Sequence, residues 1–215
     1  MIRILIADDH TVIRQGLQKV CGEDEELQIV DEAKTGSEAL QFVWNNSYDV
    51  VILDISLPGR HGIEVMKEMK KDKPDLPILV LSVHSEKQYA VRSIRAGASG
   101  YLTKDQISGE LINAIRKVAS GGKYITEQVS ELLLSDLQNN DNGKMDQTQA
   151  HNKLTDREYE VFHHLAKGKT VSEIGEELML SEKTINTYRH RILKKLDLDS
   201  TALLTRYAYE QGLVL

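Results

Sequence analysis

Ile4-Leu-Ile-Ala-Asp-Asp9 is a run of four apolar residues that ends in two carboxylates. The pattern returns as Val50-Val-Ile-Leu-Asp54 and, with a hydroxyl in place of the acid, as Ile78-Leu-Val-Leu-Ser82. Continuous apolar runs this short suit strands buried on both faces of a parallel sheet, whereas half-solvated strands alternate. Gln28-Ile-Val-Asp-Glu-Ala33 and Gly100-Tyr-Leu-Thr103 are weaker strands of the same kind. Helical spacing separates them: Ile13, Leu17 and Val20, then Ala39, Leu40 and Val43, then Val65, Met66 and Met69, with two more helices over 86–96 and 108–119. Five β–α units in succession predict an α/β doubly wound, three-layer fold over residues 1–124.

The whole chain has 215 residues, room for one large domain or two small ones, and 40% hydrophobic residues, enough for real cores. Cys21 is the single cysteine, so a disulfide within the chain and a cysteine-based zinc site are excluded, and a reducing cytoplasm is the expected location. No apolar run exceeds four residues, against about 20 for a membrane helix and about 7–15 for a signal-peptide core, so no membrane segment is expected. The formal charge of −6 divides unevenly: −2 over 1–124, −4 over 125–151 and 0 over 152–215. The middle stretch ends in the polar run 138–149 and reads as a linker, partly helical and then flexible. All three prolines precede that run, and the Pro-free remainder suits an all-helical second domain.

The polar residues that follow the strands carry the chemistry. In the flavodoxin-like order 2-1-3-4-5, borrowed from known doubly wound sheets, strands 1 and 3 are neighbours and ligands gather at the C-terminal ends. Asp8, Asp9, Asp54, Ser82 and Lys104 all fall on that rim. Three carboxylates in one crevice repel, and Mg²⁺, which favours one or two carboxylates with phosphate oxygens and water, would relieve them. A lysine and a hydroxyl facing the same point would hold a phosphoryl group. The natural reaction is attack by Asp54 on a phosphoryl donor to give an acyl phosphate. Each residue alone also has a plainer reading: Asp8-Asp9 as a helix cap, Ser82 as a turn residue, Lys104 as a solvated lysine, Tyr101 as packing. The ordered conjunction after strands 1, 3, 4 and 5 favours the pocket.

Residues 1–124 resemble a response-regulator receiver domain. The matching motifs are Leu5-Ile-Ala-Asp-Asp9, Val51-Ile-Leu-Asp-Ile-Ser-Leu-Pro-Gly59, Ser82 and Ala96-Gly-Ala-Ser-Gly-Tyr-Leu-Thr-Lys104. The resemblance implies that Asp54 accepts a phosphoryl group from a sensor histidine kinase. It implies Mg²⁺ on Asp9, Asp54 and the Ser56 backbone carbonyl, with Asp8 acting partly through water. It also implies Ser82 and Tyr101 as a switch pair and Lys104 as the phosphate contact. Two departures stand out: the hydroxyl is Ser rather than the commoner Thr, and Arg60-His61 occupy positions where an acid often precedes the glycine.

The last 64 residues, 152–215, read as four helices. Thr155 with Glu158 is a capping box, Val161, Leu165 and Ala166 make the apolar stripe behind it, and Gly168 ends the helix. A short helix over 170–178 carries Ile174 and Leu178 inward, and 179–181 is a tight turn. Ser181 then caps a helix over 182–196 with Ile185, Ile192, Leu193 and Leu196 buried, and 200–211 is the fourth. Short helix, turn, longer helix is a helix-turn-helix. Its third helix carries Lys183, Arg189, Arg191, Lys194 and Lys195, with His190 and no acid from 183 to 195. A solvated helix face is the alternative reading, but the neighbouring acids Glu173, Glu176 and Glu177 lie on another helix. Basicity next to polar Thr184, Asn186 and Thr187 suits phosphate and base-edge contact in a major groove. His163-His164 are expected at or near the surface, since adjacent helix residues diverge too far to share a metal.

Residues 153–212 resemble the LuxR-type helix-turn-helix of the NarL/FixJ response regulators, through Leu154-Thr-Asp-Arg-Glu158, Ser181-Glu-Lys-Thr-Ile-Asn-Thr-Tyr-Arg189 and Lys194-Lys-Leu196. Asn186-Thr-Tyr-Arg189 is most similar to the subgroup of global regulators such as GacA and UvrY. The combined resemblance implies a transcription regulator that binds double-stranded promoter DNA and forms a homodimer when phosphorylated. It would be no turnover enzyme, catalysing only its own phosphoryl transfer and dephosphorylation. An aspartate-nucleophile phosphohydrolase is the alternative; such enzymes commonly place a second Asp where Ser56 stands. A phosphorylation-independent DNA binder is a third reading, and the complete acidic pocket argues against it.

Overall fold

In the computed structural model five parallel strands are hydrogen-bonded in the order β2-β1-β3-β4-β5, with β1 at Ile2–Ala7, β2 at Leu27–Ala33, β3 at Val50–Asp54, β4 at Ile78–Ser82 and β5 at Gly100–Thr103. The doubly wound expectation and its borrowed strand order are both met. Helices α1 (Thr11–Gly22), α2 (Gly36–Asn45), α3 (Gly62–Asp72) and α4 (Lys87–Arg95) fill the four crossovers, and α5 (Ile107–Ala119) follows β5. The structure describes residues 1–83, 87–127, 129–131, 133–134 and 147–214. They divide into two units, Met1–Leu134 and Ser135–Leu215.

Every residue of β3 and β4 is buried, as continuous apolar runs require. Ile4, Ile6, Val50, Ile52, Leu79 and Leu81 form one core with Leu17, Leu111, Ile115 and Val118 of α1 and α5. Their alternates Leu5, Val51 and Leu53 are equally buried, and α2 and α3 bring Ala39, Leu40, Val43, Val65, Met66 and Met69 to the interior, all as expected. On α1 the expected stripe is turned by one residue. Arg14, Leu17 and Cys21 are buried, while Ile13 and Val20 are half-buried against the same core. The rotation lets Arg14 donate from Nη1 to the Asp8 carbonyl at 2.8 Å and from Nε to Glu32 at 2.9 Å, so the buried guanidinium is satisfied.

The entry of α3 fixes the end of β3. A Cβ on Gly62 would lie 2.2 Å from the Asp54 carbonyl oxygen and 2.8 Å from the Ile55 Cα, so only glycine lets the two backbones touch. The Gly62 N–H donates to the Ile55 carbonyl at 2.8 Å. His61, fully buried, caps the helix by accepting from the Ile63 N–H.

The second unit opens with a 3-10 turn at Gln147–Lys153, followed by α6 (Asp156–Ala166), α7 (Val171–Leu178), α8 (Glu182–Leu196) and α9 (Thr201–Glu210). Thr155, Thr170, Ser181 and Ser200 cap the four helices. Residues 147–151, expected at the end of the linker, are helical, and His151 is buried with its Nδ1 3.0 Å from the Tyr207 hydroxyl. The rest of the expected flexible stretch, 135–146, lies outside the described residues. Met179 adopts φ 52°, which makes the sharp turn between α7 and α8. Ile185, Ile192 and Leu196 are buried as expected, but Leu193, one step round the helix from Ile192, is only half-buried.

His163 and His164 on α6 were expected at the surface or half-buried, which holds for His164 and fails for His163. That helix packs against α7, α8 and α9, so it is buried almost all round and His163 is fully enclosed. His164 is 12% exposed, 3.3 Å from Glu177. Burial, reinforced by Lys169, pushes its imidazole down to about 4. No helix among the described residues is long and apolar enough to cross a membrane.

Two outcomes follow. Gly62→Ala destabilises the receiver unit by about 1–3 kcal/mol or more, the cost of overpacking against backbone that cannot yield, read as a lower denaturation midpoint. His164 stays neutral in the fold but titrates near 6.5 when unfolded. The unfolded chain therefore binds more protons, and stability falls as pH drops from 6.5 towards 4. Urea unfolding across that range shows the loss in the wild type and a flatter profile in His164→Gln.

Candidate functional sites: an acidic pocket and a basic helix

β1 and β3 are neighbours in the sheet, and their C-terminal ends deliver Asp8 and Asp54 side by side, each 1% exposed. Asp54 is the last residue of β3 itself, not the first of the loop. Lys104 follows β5, two strands from Asp54 and three from Asp8. With strands about 4.8 Å apart, only a long side chain makes that crossing. Its Nζ lies 2.7 Å from Asp54 Oδ2 and 2.7 Å from Asp8 Oδ2. The other Asp54 oxygen accepts from the Ser56 N–H at 3.1 Å. Asp9 is partly exposed at the rim. Ser82 is fully buried at the end of β4, one residue beyond Leu81, the register partner of Asp54. Tyr101, 6% exposed, lies on β5 beside Val80. The fold thus brings the expected pocket residues to one rim.

Burial is the largest influence on Asp54 and pushes its carboxyl up; Lys104 opposes the shift and Asp8 adds to it. Burial alone would lower the Lys104 ammonium, but Asp54 and then Asp8 outweigh it and raise it. Three carboxylates and one ammonium leave two negative charges in the crevice. Carboxylate oxygens in that balance fit a hard divalent cation, and Asp8, Asp9, His10 and Asp54 each offer a ligand atom, all within 4.8 Å of one another.

Two pocket residues escaped the sequence reading. His10 sits at the rim, with Nδ1 2.9 Å from Asp9 Oδ1 and 3.2 Å from Asp8 Oδ1. Arg14 grips the Asp8 backbone from below. The signals were present: a histidine directly after the acid pair, and a cation inside the apolar stripe of α1.

On α8 the expected contact face is free. Lys183, Asn186, Thr187, His190, Arg191, Lys194 and Lys195 are exposed, with Thr184 and Arg189 half-buried. Thr187 donates its hydroxyl to the Lys183 carbonyl at 2.9 Å, which leaves its methyl and lone pairs outward. Thr184 pairs with the cap residue Ser181 at 2.8 Å. Lys195 differs from the rest. Its Nζ lies 2.5 Å from Glu158, whose carboxylate is 4% exposed. Burial alone would raise Glu158, but Lys195 and the Thr155 cap hold it below its ordinary value.

Both parts of the chain match known families. Residues 4–116 match the response regulator receiver domain family, and residues 152–208 match the bacterial regulatory proteins of the luxR family. The chain is 35% identical to response regulator UvrY of Escherichia coli K12 over 99% of this chain and 96% of that one. It is 34% identical to response regulator GacA of Pseudomonas aeruginosa, over 100% and 98%. A structure of RcsB from Salmonella enterica serovar Typhimurium, bound to promoter rprA in the presence of the phosphomimetic BeF3⁻, superposes with TM-score 0.62 at 25% identity. It covers 96% of this chain and 97% of that one. The chain therefore belongs to the two-component response regulators, pairing a receiver domain with a luxR-type DNA-binding domain.

Proposed function

We propose that this response regulator is switched by phosphorylation of Asp54 and then binds promoter DNA as a dimer in the cytoplasm. The observation that carries the reading is the Lys104 ammonium shared between Asp8 and Asp54, in a crevice that keeps two negative charges. Asp54 attacks the phosphorus of a kinase phosphohistidine; the new P–O bond forms as the P–N bond breaks and the imidazole leaves. Lys104 and Ser82 then turn to the phosphoryl oxygens, which replace the lost carboxylate charge. Asp9, Asp54 and the Ser56 carbonyl would hold Mg²⁺, with Asp8 reaching it through water. When bound, the ion supplies charge neutralisation to the phosphoryl oxygens.

Movement of Ser82 draws Tyr101 with it and biases the receiver between two states, a coupling of about 1–3 kcal/mol. Exposed Leu203 and Tyr209 on α9 suit a contact between two DNA-binding domains. A dimer sets its two α8 helices on half-sites roughly 34–36 Å apart. Asn186, Thr187 and His190 share one exposed face and meet base edges. Lys194 meets phosphate. Lys195 was expected to do the same, but its partner here is Glu158, so we assign it to holding α8 against α6.

Acetyl phosphate with Mg²⁺ adds one phosphoryl group to the wild-type chain and none to Asp54→Asn by intact mass; equal labelling of both overturns the assignment. Titrations on operator and scrambled duplex at several salt concentrations separate the helix roles. Asn186→Ala costs about 1–3 kcal/mol on the operator and little on scrambled DNA. Lys194→Ala weakens both and lowers the log–log salt slope by about 0.9. Lys195→Ala destabilises the second unit by about 1–2 kcal/mol after allowing for the lysine's exposure, read as a lower unfolding midpoint, while Lys194→Ala does not.

A further inference from the structure

The phosphoryl chemistry uses Asp8, Asp9, Asp54, Ser82 and Lys104 and leaves one side chain of the pocket without a task. His10 stands at the N-cap position of α1, yet its side chain makes no cap hydrogen bond. The ring turns instead into the pocket, its backbone held by donation from the His10 N–H to Asp8 Oδ1 at 2.8 Å. Nδ1 is 2.9 Å from Asp9 Oδ1, 3.2 Å from Asp8 Oδ1 and 4.0 Å from Asp54 Oδ2.

These separations have the spacing of a coordination shell. Ligand atoms at about 2.1 Å from a six-coordinate ion lie about 3.0 Å apart when adjacent and about 4.2 Å apart when opposite. The His10–Asp9 distance matches neighbouring positions and the His10–Asp54 distance approaches the opposite position, while Asp8, which reaches the ion through water, stands outside the shell. An imidazole among carboxylates also changes which ion the set prefers. Oxygen-only sites suit Mg²⁺, which gains little from nitrogen, whereas imidazole favours divalent ions of the first transition row.

We infer that His10 Nδ1 is a ligand of the ion held in this pocket and shifts the site's preference from Mg²⁺ towards ions such as Co²⁺ and Ni²⁺. The inference rests on the pocket reading proposed above. To bind, Nδ1 presents its lone pair to the ion, and the exposed ring carries its proton on Nε2. Asp9 and Asp54 keep their places in the shell, and Lys104 keeps its contact with Asp8.

Calorimetric titration of the full chain with Co²⁺ and with Mg²⁺, on wild type, His10→Ala and Asp9→Asn, tests the assignment. X-ray absorption of the Co²⁺-loaded wild type and His10→Ala gives a readout of the ligand itself. His10→Ala weakens Co²⁺ about tenfold or more, changes Mg²⁺ less than about twofold, and loses one imidazole's scattering from the cobalt spectrum. Unchanged Co²⁺ affinity with unchanged scattering overturns the inference. Equal tightening of both ions in His10→Ala also overturns it, because the ring would then be a tethered cation that competes with metal. Asp9→Asn weakens both ions; if it affects neither, the pocket reading itself fails, an outcome distinct from failure at His10 alone.

Discussion

Two carboxylates buried side by side on adjacent strands are held by one ammonium, 2.7 Å from each. Without Lys104, Asp8 and Asp54 would face each other almost fully enclosed, and burial would drive one of them to take up a proton. Much of the receiver serves that contact. The strand order places β1 beside β3. The length of a lysine allows the reach from β5. Gly62 lets α3 close directly on the carbonyl of Asp54. Arg14 fixes the Asp8 backbone from within α1. On the proposed function a phosphoryl group on Asp54 would offer Lys104 a new set of oxygens, so the atoms of this ion pair would also be those of the switch.

The second unit depends on a different kind of burial. α6 is enclosed by three other helices and carries Arg157, Glu158, Glu160 and His163 into the interior. Each charge among them has an answer. Arg157 Nη1 lies 2.5 Å from Glu160, and its Nη2 donates to the Leu178 carbonyl at 3.2 Å. Glu158 closes the capping box and meets Lys195 of α8. A buried pair of this type adds little net stability over apolar packing, but losing one partner is costly. Its effect is to set where α8 lies on α6, and so where the exposed face of α8 points.

The two units carry opposite electrostatic characters suited to their chemistry. The receiver gathers acid at one sheet edge, where an ion and a phosphoryl group can neutralise it. Residues 152–215 carry no net charge, yet five of their ten bases lie on α8, while Glu173, Glu176 and Glu177 lie on α7 and Glu158 and Glu160 in buried pairs. Local charge, not the total of −6, is what a phosphate or a metal ion meets.

Legible in the sequence were the five strands, the helices between them, the four capped helices that follow, and the acidic and basic residues proposed for both sites. They are legible there because their signals are local: apolar runs, a 3.6-residue period, caps at fixed spacing, and polar residues at strand ends. Tertiary packing was needed to turn Arg14 and Cys21 inward from α1 and leave Ile13 and Val20 half-covered. The same packing encloses His163, leans His10 into the pocket, and holds Lys195 on Glu158 while its neighbour Lys194 stays exposed. A periodic pattern marks one face of a helix but not how many partners that helix has, and a run of bases does not say which of them meets a buried acid. Those outcomes depend on residues brought together from distant parts of the chain, across which local spacing carries no information.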